Sequence, residues 1–150
     1  MSKELVEITG FAELKRKISQ LPDRVKRREM LKILGQVANP TVKAVRSFTP
    51  VGKRKHTRDN AEPGNLRKSI GKRTGRKGRE RKDAVIYVGP KLKGRYKGWY
   101  GHFIAGGTVN IQANDFSAKG FNQTKGRVTA DAEARTVKYI QKQINRLSNA

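Results

Sequence analysis

The residues with acid–base chemistry are few. His56 and His102 are the only histidines, and cysteine is absent. His102 stands between a glycine and a phenylalanine, where a packed or partner-bonded imidazole is expected, and His56 lies in a basic loop, where a solvated ring is expected. No closely spaced metal-ligand set, serine-nucleophile motif or phosphate-loop spacing occurs. The sequence therefore predicts a protein that is not an enzyme and holds no metal and no cofactor.

Positive charge is the strongest chemical feature of the chain. Its 150 residues include 35 Lys or Arg and only 12 Asp or Glu, a formal charge of +23. Such like charges repel one another, so a polyanion or a neighbouring subunit is expected as a partner. The densest run extends from Lys53 to Lys82. It has two interpretations, phosphate contact with strong salt dependence or a solvated loop. The candidate basic contact residues are Arg67, Lys68, Arg76, Lys77, Arg79, Arg81 and Lys82.

An aromatic segment forms the second candidate surface. Trp99, Tyr100, His102 and Phe103 lie within five positions. If the segment is a strand, Trp99 and Phe103 share one face, and Tyr100 and His102 the other. Stacking on bases is one use for such rings, but burial of one strand face favours core or subunit packing. Trp99, Tyr100 and His102 join the tentative set of assembly or polyanion contacts.

Helices are predicted at both ends of the chain. An apolar stripe over residues 11–21 predicts a first helix, and Asp23 is suited to cap a second one that runs to Phe48 with a kink or restart at Asn39-Pro40. A third helix is predicted from about Thr129 to Leu147, and residues 109–126 have no predicted element. Five apolar side chains on these stripes are expected in one core: Leu14, Leu34, Val45, Val137 and Ile144.

A small antiparallel sheet is predicted between the helices. The β-branched and aromatic run 84–90 ends in Gly-Pro, which is typical of a strand, and Ile70 to Thr74 can pair with it as a long hairpin. The fold class is therefore α+β, with two N-terminal helices, the sheet with its long basic loop, and a C-terminal helix. We expect one domain over residues 1–150, with a flexible basic loop at about 51–82 that is disordered in the isolated subunit.

The segments together resemble a known family, the tail-component (neck or tail-completion) proteins of lambdoid long-tailed phages. The resemblance runs from about Val6 to Leu147. It rests on the order of four elements: Ile8-Thr9-Gly10-Phe11 with a long helix ending at Phe48-Thr49-Pro50; Gly64-Asn65-Leu66-Arg67-Lys68-Ser69-Ile70; Val85 to Pro90; and Trp99-Tyr100-Gly101-His102-Phe103 through Gly107-Thr108.

Two departures from the family pattern occur. Ala105 and Gly106 stand where members often have a glutamate and an aromatic residue. Of the Pro-Phe element that tends to precede the last helix, only Phe116 remains. Contacts made through those positions are expected to differ in this chain.

The resemblance implies a structural virion protein without enzymatic activity. It would form a homo-oligomeric ring between the portal or head-completion proteins and the tail terminator or tail tube. Six subunits are preferred and twelve is the competing number. Contact with packaged DNA is a further expectation. The protein would be assembled in the host cytoplasm and located at the head–tail junction, with no membrane partner. The alternative is a basic nucleic-acid-binding protein, associated with ribosomes or the nucleoid.

Overall fold

The computed structural model describes residues 23–53, 62–78 and 84–148. Three helices, a two-stranded antiparallel sheet and two further helices follow one another along this part of the chain, which confirms the predicted α+β class. The predicted first helix over residues 11–21 lies outside the described residues. The elements are α1 (Asp23–Val37), α2 (Asn39–Phe48), α3 (Asn65–Ser69), β1 (Ile70–Thr74), β2 (Ile86–Pro90), α4 (Gly101–Gly106) and α5 (Phe116–Ser148).

The break between α1 and α2 occurs where the sequence predicts it. Pro40 stands in the first turn of α2, where its missing N–H and fixed φ are tolerated. Backbone hydrogen bonds continue across the junction, since the Ala38 amide donates to the Leu34 carbonyl at 2.9 Å and the Val42 amide donates to the Ala38 carbonyl at 3.0 Å. The chain therefore restarts a helix after Ala38.

The predicted hairpin is also confirmed. Strands β1 and β2 pair antiparallel, with Ile70 opposite Pro90 and Thr74 opposite Ile86. Beyond the paired residues, the Gly75 amide donates to the Val85 carbonyl at 3.0 Å. Helix α3 and strand β1 therefore lie inside the stretch that the sequence predicts to be a flexible loop. For residues 54–61 and 79–82, outside the described part, flexibility stays a prediction.

The core lies where α2 packs against the hairpin on one side and the start of α5 on the other. Its buried residues come from four elements: Val42 and Val45 from α2, Leu66 from α3, Ile70 from β1 and Phe116 from α5. Val88, Tyr100, Ile104 and Ala105 pack against them while remaining partly exposed.

The predicted core is confirmed for only some of its members. Val45 is buried, whereas Leu34 and Ile144 are half-buried and lie outside the main cluster. The prediction for Val137 is wrong, because its side chain is 64% exposed. Helix α5 spans about 50 Å and α2 only about 15 Å at the usual rise per residue, so the later turns of α5 extend past the core. Leu14 lies outside the described residues.

Helix α5 begins at Phe116, well before the predicted start near Thr129. Asp115 caps it: its Oδ1 accepts a hydrogen bond from the Ala118 amide at 2.9 Å. The sequence prediction missed this half of the helix because Gly120 and Gly126 lower helix propensity. Gly120 has a packing reason, since a Cβ there would lie 2.6 Å from the Val45 amide nitrogen. Only glycine lets the two helices approach this closely.

Candidate assembly and polyanion-binding surfaces

The segment Gly64–Ile70 contacts the loop at Lys97, contributes to the core and leads into β1. Gly64 has a φ of +83°, a left-handed conformation that favours glycine. The buried Asn65 side chain donates to the Lys97 carbonyl at 2.6 Å, which fixes the loop that leads to the aromatic segment. Leu66 enters the core, and Ser69 Oγ donates to the Leu66 carbonyl at 2.7 Å. The spacing of this motif is therefore explained by packing and hydrogen bonding.

Two of the predicted basic residues line one concave site, which we call the basic cavity. It has a volume of about 530 Å³ and is lined by Arg46, Ser47, Arg67, Lys68 and Tyr96. These residues come from the end of α2, from α3 and from the loop after β2. None of the described acidic side chains lines it.

Backbone carbonyls hold both guanidinium groups of the basic cavity in place. Arg46 donates through Nε and Nη2 to the Ile70 carbonyl, at 3.2 and 2.8 Å. Arg67 donates in the same way to the Thr49 carbonyl, at 3.2 and 2.8 Å. Lys68 differs: its ammonium lies 5.5 Å from the centre of the Tyr96 ring, a cation–π contact. The site thus combines two fixed guanidinium groups with an ammonium on an exposed side chain.

The other predicted basic residues are not brought into this cavity. Arg76 and Lys77 are exposed on the segment after β1, which is anchored by a hydrogen bond from Arg27 Nη2 to the Gly75 carbonyl at 3.0 Å. Arg79, Arg81 and Lys82 lie outside the described residues. Their role as assembly or polyanion contacts stays a prediction.

The outer face of the hairpin carries a second depression, here called the hairpin groove, of about 660 Å³. Gly71 and Gly89 face each other across the strands, and a Cβ on Gly89 would meet nothing within 4 Å. Arg73 lies 5.4 Å from the centre of the Tyr87 ring at one side. Leu92, 60% exposed, lines the groove too. This surface offers bare backbone between apolar and cationic side chains.

The aromatic segment is a turn at Trp99 and Tyr100 followed by the short helix α4, so the predicted strand over Trp99–Phe103 is wrong. The rings of Trp99 and of Phe103 in α4 meet edge to face at 6.3 Å, and Tyr100 packs against the core. His102 is exposed, with Nδ1 2.7 Å from the Trp99 carbonyl oxygen. A short apolar run fits helix or strand equally well. Gly101 lets α4 approach the end of β2 closely, because a Cβ there would lie 2.8 Å from Pro90 Cγ.

A surface that the sequence prediction missed follows α4. From Gly98 to Asn114 no Lys, Arg, Asp or Glu occurs, the longest such stretch in the chain. Within it, Thr108 and Ile111 exchange backbone hydrogen bonds of 2.8 and 3.2 Å. This pair closes a tight turn, the 108–111 turn, at whose tip the Val109 side chain is fully exposed. The missing charges were the available sequence signal.

The 108–111 turn is held firmly on the domain. Gly107 has a φ of +77°, and a Cβ there would lie 2.9 Å from the Ala113 amide nitrogen. The Asn114 amide donates to the Ile104 carbonyl of α4 at 2.9 Å. Because both ends of the turn are anchored, Val109 projects as a fixed apolar knob.

Glu29, whose pKa is shifted, lies on α1 and not among the residues that line the two cavities. The hydrogen bond from Lys32 lowers the pKa of the Glu29 carboxyl on α1.

Within residues 23–53, 62–78 and 84–148, no three His, Asp or Glu side chains are grouped as a metal site. None of the helices in those ranges is long and apolar enough to cross a membrane.

Comparison with known proteins gives one match. The model of the family described as "Bacteriophage HK97-gp10, putative tail-component" matches residues 12–107. The match includes the Gly64–Ile70 segment, the hairpin and the aromatic segment, and it ends just before the 108–111 turn. Neither the curated proteins nor the solved structures include a match.

Proposed function

This chain belongs to the bacteriophage HK97-gp10 family of tail components, and we propose that it forms a closed ring at the head–tail junction. Family membership makes it a structural protein of the phage virion, with other virion proteins as partners, and points to a non-enzymatic role. The proposal adds a place and a geometry: the ring connects the portal or head-completion proteins to the tail terminator or tail tube.

The observation that carries the ring is the uncharged surface around the 108–111 turn. Two copies of a chain with a charge of +23 repel each other over most of their surfaces. Subunit contacts are therefore expected where Lys and Arg are absent and apolar groups are exposed. Val109 and the half-exposed Phe103 meet both conditions within one anchored stretch.

The hairpin groove is the surface that this knob fits. The groove leaves the backbone open at Gly89, while the Lys91 side chain lies over Gly71, and Tyr87 and Leu92 are its apolar walls. Insertion of the neutral turn brings no further cation beside Arg73, Lys91 and Lys93. A knob on one side and a groove on another make a head-to-tail contact, and such contacts close into a ring at a fixed rotation. Six subunits are preferred, and twelve is the competing number.

Negative-stain electron microscopy of the purified chain tests the ring. We expect closed particles of one diameter from the wild-type protein. Val109→Lys should abolish them, because it places a cation beside those of the neighbouring groove. Val137→Lys is the matched control, with the same added charge at an exposed site on α5, and should still form rings. Rings from Val109→Lys, or none from the wild type at any concentration, would contradict the proposal.

A nucleic-acid-binding protein is the second candidate. It is favoured by the described ranges 62–78 and 84–97, which carry ten Lys or Arg and a single acid, Glu62. On this hypothesis the purified chain binds DNA as a monomer, and Val109→Lys changes neither its mass nor its affinity. Ring formation by the free protein distinguishes the two candidates.

A further inference from the structure

We propose that the basic cavity binds a phosphate group of a nucleic-acid backbone. The starting observation is the convergence of Arg46, Arg67 and Lys68 on one concave site that, in the described part of the chain, no acidic residue lines. The site goes beyond ring formation, since it assigns a ligand class to one face of each subunit. It rests on the proposed function only for the source of that ligand, the DNA that passes the head–tail junction.

The two arginines are oriented before any ligand arrives. Each uses Nε and one terminal nitrogen for a single backbone carbonyl, Ile70 for Arg46 and Thr49 for Arg67. The second terminal nitrogen, Nη1, is left for a ligand in this geometry. Because the side chains are already fixed, binding an oxyanion costs less side-chain entropy than it would with free arginines. Guanidinium groups also match phosphate oxygens in shape and charge.

Lys68 and Tyr96 complete the site. The Lys68 ammonium and the Arg95 guanidinium each lie 5.5 Å from the centre of the Tyr96 ring. A phosphate that draws Lys68 toward the two guanidinium groups leaves the Tyr96 ring as a wall for the attached sugar or base. These features fit a nucleotide unit better than an acidic side chain.

The surroundings favour a ligand whose charges repeat. Arg95 lies against the Tyr96 ring and Lys97 is exposed two positions later, so positive charge continues along the loop that carries Tyr96. A nucleic-acid backbone supplies a negative charge at every residue and can follow such a row. An acidic protein would have to place carboxylates individually, and its apolar contacts would find little beside this cavity. We therefore commit to a phosphodiester backbone.

Lys68→Gln tests the site without disturbing the two carbonyl contacts of the arginines. The matched control is Lys142→Gln, which removes one charge from an exposed position on α5. Binding of a fluorescent double-stranded oligonucleotide is measured by anisotropy at several salt concentrations. We expect Lys68→Gln to lower the slope of log affinity against log salt by about 1, the value for one lost phosphate contact. The control should leave the slope unchanged. Sedimentation of the same samples reports ring formation separately.

Three results would overturn the inference. The first is that the wild-type chain binds no oligonucleotide at low salt. The second is that the two variants change the slope equally, so that only the total charge matters. The third is that a poly-glutamate peptide displaces the oligonucleotide at equal charge concentration from the wild type and with less effect from Lys68→Gln, which would assign the cavity to carboxylates. If rings still form in any of these cases, the proposed function stands while the phosphate site fails.

Discussion

Replacing Gly120 by alanine tests the close packing of α5 on α2. An added Cβ would lie 2.6 Å from both the amide nitrogen and Cγ2 of Val45, and 2.7 Å from its Cα, where ordinary contact begins at 3.4 Å. Two of these neighbours are backbone atoms, so a rotamer change cannot relieve the clash. The helices must separate by several tenths of an ångström or more, which opens the core at Phe116 and Val45.

The magnitude follows from two opposing effects. Overpacking a core typically costs about 1–3 kcal/mol, and a clash with backbone belongs at the upper end. Alanine in place of glycine in a helix returns about 1 kcal/mol. Gly120→Ala should therefore destabilise the protein by about 2 kcal/mol. Gly126→Ala is the matched control in the same helix, since a Cβ there meets nothing within 4 Å, and it should stabilise by about 0.5–1 kcal/mol.

Urea denaturation followed by circular dichroism measures both variants. The helix-propensity gain is common to them, so their difference of about 2–3 kcal/mol isolates the packing cost. With the usual urea dependence, the two midpoints should differ by roughly 1 M or more. If Gly120→Ala is stabilised as much as Gly126→Ala, the close contact between α2 and α5 is refuted.

Four further predictions concern the core, the hydrogen bonds, the charges and the loop. Leu66→Ala should cost about 2–5 kcal/mol in urea denaturation, whereas Leu92→Ala, at a 60% exposed site, should cost under about 0.5 kcal/mol; equal costs would contradict the core assignment. Asn65→Ala should cost about 1–3 kcal/mol because it leaves the Lys97 carbonyl without its donor; an unchanged free energy of unfolding would show that this hydrogen bond does not stabilise the fold. The lowered pKa of Glu29 means that its contribution to stability is present above the pKa of the unfolded chain and is lost as pH falls through the lower folded value. Glu29→Gln should therefore lose less stability than the wild type between about pH 6 and pH 3 in thermal melts; identical pH dependence would show that the Lys32 contact does not matter. Replacing the loop residues Arg76, Lys77, Arg79, Arg81 and Lys82 with Gln should reduce the number of heads joined to tails, and normal joining with unaltered salt sensitivity would leave the loop as a solvated tether.

The parts of the fold that sequence patterns predicted are the locally determined ones. The β-branched run before Gly89-Pro90 and the proline at position 40 act on their own neighbours, so the hairpin and the helix break followed from the sequence. The start of α5 did not. Gly120 opposes a helix locally but is required by a contact with Val45, distant in the chain, and no periodicity reveals such a contact.

The candidate sites show the same contrast between features set by neighbouring residues and features set by contacts distant in the chain. Arg67 and Lys68 were predicted as candidate contacts from charge alone, and that role stays a prediction; Arg46 and Tyr96 lie beside them only because α2 and the loop after β2 meet in the fold. The aromatic segment was predicted to be a strand, because the four-residue separation of Trp99 and Phe103 puts them on one face of a strand or of a helix alike. Val109 was missed because its exposure is a property of the anchored turn rather than of its own sequence.

The most direct test of the ring is the mass of the purified chain in solution. Sedimentation velocity and light scattering over a range of concentrations should give one discrete species, with six times the 16.9 kDa chain mass as the preferred value and twelve times as the competing one. Val109→Lys should sediment as a monomer and Val137→Lys as the wild type does. A wild-type chain that stays monomeric at every concentration, or that grows without limit as concentration rises, would contradict a closed ring.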